Sequence, residues 1–477
     1  MPLPVVTVVE MRDWENQTWA SGVTPAEVIS RVGQAVAAEA LNQTQIGDAI
    51  AIFAGKGNNG ADALACASHL SDRTADIFKI EDPSRGMAEF LAALALRRKS
   101  GKRPYALIVD GLFGIGLNRP LDSDWQQLIA AINETGTKVL SIDVPSGLNA
   151  DTGETYGAAL KAFVTLTIGA PKRGLLASGG SVFTGRIKVA DQAGLLDHAI
   201  ALREPRELAW STGSDFINFP PARPAESHKG TFGHLLIIAG SQGYHGAAVL
   251  AARGAQRAQP GLVTLWTLEN VYAPIASQLQ AVMVDTWRPG KTIPESCTAV
   301  LFGPGLVDVP SQLKDWLAEV WLKSKLSVVA DASGLDWLSS SSASVSPRIL
   351  TPHPGEAARL LKVSSQEIQA DRCAALRDLS KRYGGAWIVL KGHQTLVGRT
   401  EGRITVNGSG NPGLAQGGTG DLLAGFAAGL VAQPLLQNDL QHALAYAVWE
   451  HGCAADRLAG SRRHWVVEDL CAELGEA

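Results

Sequence analysis

NGSGNPGLAQGGTGDLLAGFAAGL, residues 407–430, decides how this chain is to be read. Gly417, Gly418, Thr419, Gly420 and Asp421 stand directly before an apolar stretch with helical spacing. Glycines without a Cβ let backbone N–H groups close around an anion, and the helix N-terminus behind them adds about half a positive charge. An aspartate at that entrance repels phosphate and is out of place in a site that only binds it. It fits a site where a hydroxyl is phosphorylated and the carboxylate takes the hydroxyl proton. The competing structural reading is a glycine-rich turn in which Asp421 merely caps the helix.

Upstream, apolar runs end repeatedly in glycine or a polar side chain. HLLIIAGSQGYHGAAVLAARGA opens the series at His234, and AVLFGPGL (299–306), LSVVADASGL (326–335), RILTPHPGEAARLL (348–361) and WIVLKGHQTLV (387–397) follow. Asp331, His353, Lys391, Thr395 and Asp421 then fall at or just past strand ends or at a helix start. Lys391 reads as a cation facing phosphate, with Thr395 as a hydroxyl donor; the alternative is a surface lysine in a hairpin. His353 lies between Pro352 and Pro354, which freeze its loop for a substrate contact or a structural turn. Glu356 is either a helix-entry carboxylate or a magnesium-site group.

The first half repeats the logic. AIAIFA (49–54) feeds GKGNNG and then the helical pattern ADALACASHL. ALIVD (106–110) and KVLSID (138–143) each end in aspartate, a helical stretch at 122–133 lies between them, and ALKAFVTLTIG (159–169) continues the series. Strands of this kind predict a parallel sheet with ligand chemistry at its carboxyl edge. Asn58 and Asn59 offer neutral oxygens to a ligand or a weakly hydrated cation. VDGLFGIGLNRP (109–120) supplies Asp110, then glycines that free N–H groups for a pyrophosphate, with Arg119 as a charge partner. SIDVPSGLNADTG (141–153) supplies Asp143 and Ser146. Taken singly, each of these motifs is equally well capping and turn chemistry.

At 477 residues the chain is too long for one core and implies two or three domains. The polar, proline-rich stretch 203–231 has no sustained periodicity and puts a boundary near residue 212. Hydrophobic residues at 46%, charged residues at 18% and 50 glycines fit a soluble α/β protein with many tight turns. A net charge of −4 argues against general nucleic-acid or anionic-membrane binding. Cys66, Cys297, Cys373, Cys453 and Cys471 are scattered and free of CxxC spacing, as reduced thiols are. The first residues show no basic flank with an apolar region behind it, and no apolar run reaches ~20 residues, so neither a secretory signal nor a membrane span is expected. The expected location is the cytoplasm. The serine cluster 339–344 is expected to be a loop tip.

FGPGL, DASGL, TPHPGE, LKGHQT and GNPGLAQGGTGD, in this order and spacing, resemble the ADP-dependent NAD(P)H-hydrate dehydratases of the ribokinase-like superfamily, over about residues 213–475. That family removes the hydroxyl of a hydrated nicotinamide at the expense of a nucleotide phosphate and restores NADH or NADPH. The resemblance implies that Ala247, Gly305, His353 and Asp421 face the hydrate. It implies that Lys391, Gly392, His393, Gln394, Thr395 and Gly420 hold ADP or ATP, with magnesium. Where the family carries a Gly-Ala-Gly-type turn, this chain has AQPGLV (258–263).

GKGNNGAD, VDGLFGIGLNRP and SIDVPSGLNADTG together resemble the NAD(P)H-hydrate epimerase domain, over about residues 1–211. This implies a potassium ion at Asn59, Asp110 and Ser146. One carboxylate with neutral oxygens suits a large monovalent cation rather than zinc or a transition metal. Hydrate binding is implied at Asn58, Asn59, Gly60, Ala61 and Asp62, at Gly114, Ile115, Gly116, Leu117, Asn118, Arg119 and Pro120, and at Asp143. The family's first loop reads NNGGDG, whereas here it is NNGADALA, with methyl groups at Ala61 and Ala63. Asp143 is the expected acid/base group of epimerisation and Asp421 that of dehydration. A cation-bound Asp110 is the poorer base, because the cation stabilises its ionised form. The expected whole is two three-layer α/β/α domains, Rossmann-like over 1–211 and ribokinase-like over 212–477. Its partners are the hydrates NADHX and NADPHX and ADP or ATP, with no nucleic acid and no membrane, and a homo-oligomer is expected. The competing reading is a ribokinase-like small-molecule kinase with a non-catalytic N-terminal binding domain. The epimerase-like half discriminates, because a kinase has no use for it.

Overall fold

The computed structural model describes residues 2–202, 206–340 and 346–476, so most of the serine cluster 339–344 and the start of the proline-rich stretch lie outside the described residues. The chain divides into two compact units, Leu3–Arg206 and, apart from its first two residues, Glu207–Ala477.

In the first unit a two-residue strand, β1 (Leu3–Pro4), precedes β2 (Ala49–Ala54), β3 (Thr74–Lys79), β4 (Leu107–Gly111), β5 (Val139–Ile142), β6 (Val164–Ile168) and β7 (Arg186–Ala190). The last six form a parallel sheet in the order β3-β2-β4-β5-β6-β7. The central strands β2, β4, β5 and β6 are buried on both faces, which explains why they read as largely apolar runs, whereas the edge strands β3 and β7 are partly exposed. Ile50, Ile52, Val109 and Leu140 enter one core, while Ala51, Phe53, Phe78 and Phe90 enter the other. Strand order reverses between β2 and β4, so the crevice beyond their carboxyl ends is where an open sheet of this kind binds ligand. GKG (55–57) and LFGIGLNRP (112–120) leave those two strands, and Asn58 to Asp62 stand in the first turns of helix Asn58–Ala67, so the expected loop GKGNNG is helical from Asn58.

The second unit contains β8 (Leu208–Ser211), β9 (His234–Ile238), β10 (Leu262–Thr267), β11 (Met283–Thr286), β12 (Ala299–Phe302), β13 (Ser327–Ala330), β14 (Arg348–Leu350), β15 (Trp387–Leu390), β16 (Leu396–Gly398) and β17 (Ile404–Asn407). Their order is β8-β17-β16-β15-β14-β13-β12-β9-β10-β11. The run 387–397 is two strands rather than one: β15, β16 and β17 pair antiparallel, and the remaining pairs are parallel. Here the order reverses between β9 and β12. Helix His245–Arg257 packs along helix Thr419–Val431 at backbone distance. A methyl on Gly425 would lie 1.9 Å from the Ala251 carbonyl oxygen, and one on Gly254 would lie 2.2 Å from that of Leu422. Only glycine permits that approach. Among the described residues no single helix is long and apolar enough to cross a membrane.

Candidate active sites

Gly418 adopts a left-handed backbone (φ 92°) and ends the glycine loop, after which helix Thr419–Val431 starts with no side-chain cap. Asp421 therefore stands in the first turn of the helix and does not cap it. The first N–H groups of this helix have no intrahelical acceptor and remain available for an anion. Lys391, directly after β15, donates to Asp331 Oδ1 at 2.7 Å, and Thr351 Oγ1 donates to the same oxygen at 2.6 Å. A Cβ on Gly420 would lie 3.4 Å from Lys391 Nζ, which puts the lysine against the head of the glycine-led helix. Burial alone would lower the Lys391 pKa, but Asp331, Glu356 and Asp421 outweigh it and leave it above the ordinary value. The Asp421 carboxyl is pushed up to about 7, first by burial and then by Asp331, with Lys391 opposing and Glu356 adding to the rise. A carboxylate poised near neutral pH beside a cation is suited to general-base work next to phosphate.

His353 caps helix Pro354–Leu361. Its Nδ1 accepts from the Gly355 and Glu356 amides, while Glu356 Oε2 accepts from the His353 amide at 2.8 Å. Glu356 thus serves as the helix-entry carboxylate and also as part of the charge cluster around Lys391 and Asp421. Ala247 and Gly305 meet at the point where strand order reverses: a Cβ on Gly305 would lie 2.8 Å from the Ala247 Cβ. Gly392 and Gln394 have positive φ (135° and 55°), and Thr395 Oγ1 donates to the Gly392 carbonyl at 3.0 Å. Arg372 braces this turn by donating to the carbonyls of His393, Leu390 and Lys391. The His393 pKa is lowered by burial and by Arg372.

Arg372, Thr351 and His451 escaped the sequence reading. His451 is buried on helix Leu440–Ser461, and its Nε2 lies 3.1 Å from the Thr419 carbonyl. A carbonyl can only accept, so Nε2 carries the proton. Burial holds the His451 pKa down at about 4, opposed by the Thr419 bond and reinforced by Lys391.

In the first unit Asp110 is fully buried at the end of β4. Its two oxygens accept from the Leu112 amide, the Ser141 hydroxyl, and the amide and hydroxyl of Ser146. All of these donors are neutral, and burial raises the Asp110 pKa against them. Asn59 spends its Nδ2 on the carbonyls of Phe113 and Ile142, which turns Oδ1 toward Gly114. Among the described residues no basic side chain bonds this buried carboxylate, and with the hydroxyl oxygen of Ser146 and the amide oxygen of Asn59 it offers a donor set that fits a hard monovalent cation.

Asp143 follows β5 with φ 66°, and the Val144 amide bonds back to the Ile142 carbonyl, which makes Asp143 the centre of a strained γ-turn. Its Oδ1 accepts from Lys172, a fully buried residue that sequence reading passed over. In IGAPKRG, Lys172 looks like an ordinary surface base. Its one legible signal is its place beyond β6, at the same sheet edge as Asp110 and Asp143. Asp62, on helix Asn58–Ala67, is buried, and its carboxyl is pushed up to about 8 by burial, Asp143 and Glu15. The Glu15 pKa is raised as well, by burial and Asp143. Asn58, Gly116, Asn118, Arg119 and Pro120 are exposed, outside this buried group; Gly60 is buried, and Ala61, Gly114, Ile115 and Leu117 lie between. The Ala63 methyl is buried against Gly111 of β4, so it faces the sheet.

Residues 235–476 match the family model described as NAD(P)H-hydrate dehydratase, and residues 25–174 match the one described as YjeF-related protein N-terminus. The bifunctional NAD(P)H-hydrate repair enzyme of Coxiella burnetii is 36% identical over 98% of this chain and 97% of its own. That of Escherichia coli is 33% identical over 95% and 89%. A solved ADP/ATP-dependent NAD(P)H-hydrate dehydratase from Bacillus subtilis, crystallised with ATP and Mg2+, is 33% identical, with a TM-score of 0.49, over 54% of this chain and 92% of that one. With relatives matched across both units, the chain belongs to the family of bifunctional NAD(P)H-hydrate repair enzymes.

Proposed function

We propose that the chain repairs hydrated NADH and NADPH in two steps. The first unit interconverts the R and S hydrates, and the second dehydrates the S hydrate with ADP or ATP, magnesium entering on the nucleotide phosphates. The observation that carries the dehydratase reading is Asp421, a carboxyl raised to about 7 at the head of a glycine-led helix beside Lys391. The hydrate hydroxyl attacks the terminal phosphorus, its proton passes to Asp421, and the bond from that phosphorus to the nucleotide's bridging oxygen breaks. Phosphate then leaves with the C–O electron pair while the neighbouring carbon gives its proton to water, which restores the ring double bond. Lys391 and the helix N-terminus face the charge that builds on the transferring group.

In the first unit Asp143 is the acid/base group of epimerisation, chosen because its Oδ2 stays open toward Gly114 and not because it lacks a cation, since Lys172 holds its Oδ1. Asn59, Asp110 and Ser146 would hold potassium, whose positive charge suits a pyrophosphate substrate. Asn58 to Asp62, Gly114 to Pro120 and Asp143 bind the hydrate. We place the domain boundary between Arg206 and Glu207 rather than at the expected 211/212, because β8 pairs with β17 of the second unit. A homo-oligomeric assembly and a cytoplasmic location complete the proposal. Purified protein incubated with mixed R and S hydrates and ADP should restore the reduced-nicotinamide absorbance completely, consuming both epimers. Conversion that stops when the S form is exhausted defeats the epimerase half, and no conversion at all defeats the reading.

A further inference from the structure

We propose that Lys172 is a positioning residue of the epimerase site, which anchors one oxygen of Asp143 so that the other faces the glycine-rich loop Gly114–Pro120. The inference rests on the reading of Asp143 as the acid/base group.

The Lys172 ammonium has three protons and three acceptors: Asp143 Oδ1, Thr167 Oγ1 at 3.1 Å and the Ile168 carbonyl at 2.8 Å. Asp143 Oδ1 also accepts the Ile168 amide at 3.2 Å and the Thr167 hydroxyl at 3.4 Å. That oxygen is therefore saturated. Among the described residues no hydrogen bond reaches Oδ2, and a Cβ built on Gly114 would lie 3.4 Å from it. The carboxylate is thus tethered on one side and open on the side of the loop expected to hold the hydrate.

A buried lysine is a costly anchor, since its charge must be desolvated. The cation at Asp143 is nevertheless built in firmly. Two backbone bonds clamp its segment to Val6, from the Val6 amide to the Pro171 carbonyl and from the Arg173 amide to the Val6 carbonyl, each 2.9 Å long. The same charge also acts on Glu15 of helix Val8–Ala20, opposing the rise of its pKa.

The test compares full-length Lys172→Met, Lys172→Arg, Asp143→Asn and the double variant Asp143→Asn with Lys172→Met. Conversion of purified R hydrate is followed by NMR, and ADP-dependent dehydration of S hydrate by the same chain reports the integrity of the other unit. Lys172→Met should lower the epimerisation kcat about 10²-fold, the order expected for a misaimed catalytic group, with KM nearly unchanged. Lys172→Arg, which keeps the charge at a different reach, should recover part of that loss. The double variant should be no slower than Asp143→Asn alone, because a residue acting through Asp143 has nothing left to position. A wild-type kcat in Lys172→Met, or losses that multiply in the double variant, overturns the proposal. If Lys172→Met fails to fold by circular dichroism, Lys172→Arg decides: a reduced kcat at unchanged KM supports the proposal, and a wild-type kcat overturns it. A wild-type kcat in Asp143→Asn overturns the acid/base reading itself, whereas a loss there with none in Lys172→Met overturns only the role of Lys172.

Discussion

At the scale of single residues, the two units bury an aspartate in different company, Asp421 beside a lysine and Asp110 among neutral donors. Asp421 has its pKa raised from 3.8 to about 7 in the fold. Its ionised form is therefore disfavoured by folding, a cost absent below about pH 4 that grows to its full size above about pH 7, at most about 4 kcal/mol. Asp421→Asn should consequently raise the melting temperature at pH 8 more than at pH 5, while dehydration falls by ~10²–10⁴-fold. Calorimetry with the absorbance assay checks both, and a variant that is active or less stable at pH 8 counts against the base. In the wild type, dehydration should rise with pH through about 7, as Asp421 becomes able to accept a proton. Asp110, in contrast, is held by neutral donors and has no basic partner among them. Epimerisation should therefore be faster in potassium than in choline buffer, and Asp110→Ala should abolish that difference, because Asn59 and Ser146 alone offer only neutral oxygens. Equal rates in both buffers for the wild type would return this cluster to turn chemistry.

At the scale of elements, the strand ends were legible and the partners brought to them were not. AIAIFA is a strand over the residues expected, and Asp110, Asp143, Asp331 and Lys391 all fall at or just past strand ends, because a parallel sheet buried on both faces writes itself as apolar runs punctuated by glycine. Lys172 and His451 were illegible because their meaning comes from burial, and nothing local distinguishes APKRG from a surface turn or WEHGC from a core helix. The turn between β15 and β16 was legible as the hairpin weighed for Lys391: Gly392 and Gln394 turn the chain back there, while the ammonium of Lys391 lies on Asp331. The helix carrying Asp421 owes its place to Gly425 and Gly254. Gly425→Ala puts a methyl against the Ala251 carbonyl and must drive the two helices apart. Overpacking of this kind costs roughly 1–3 kcal/mol or more. The variant should lose dehydration out of proportion to its stability, with epimerisation retained, as thermal unfolding and the two assays would show.

At the scale of the whole molecule, two compact units each carry a site made from their own residues. Lys391→Ala should weaken ADP binding by roughly 1.5–3 kcal/mol, a loss of about ten- to a hundred-fold in Kd, and leave R-to-S conversion untouched. Calorimetric titration and the NMR assay on one preparation measure both, and a parallel fall in epimerisation would mean that the sites are coupled. The close approach of helices His245–Arg257 and Thr419–Val431 has a further consequence, for the way this protein can evolve. Where two side chains touch, a change in one can be rescued by a change in the other, and related sequences then vary in pairs. Gly254 and Gly425 face backbone carbonyls, which mutation cannot trim. These two positions have no partner able to compensate, so descent should hold them as glycine in isolation, without a covarying column, in any lineage that keeps the carboxylate at the head of its helix.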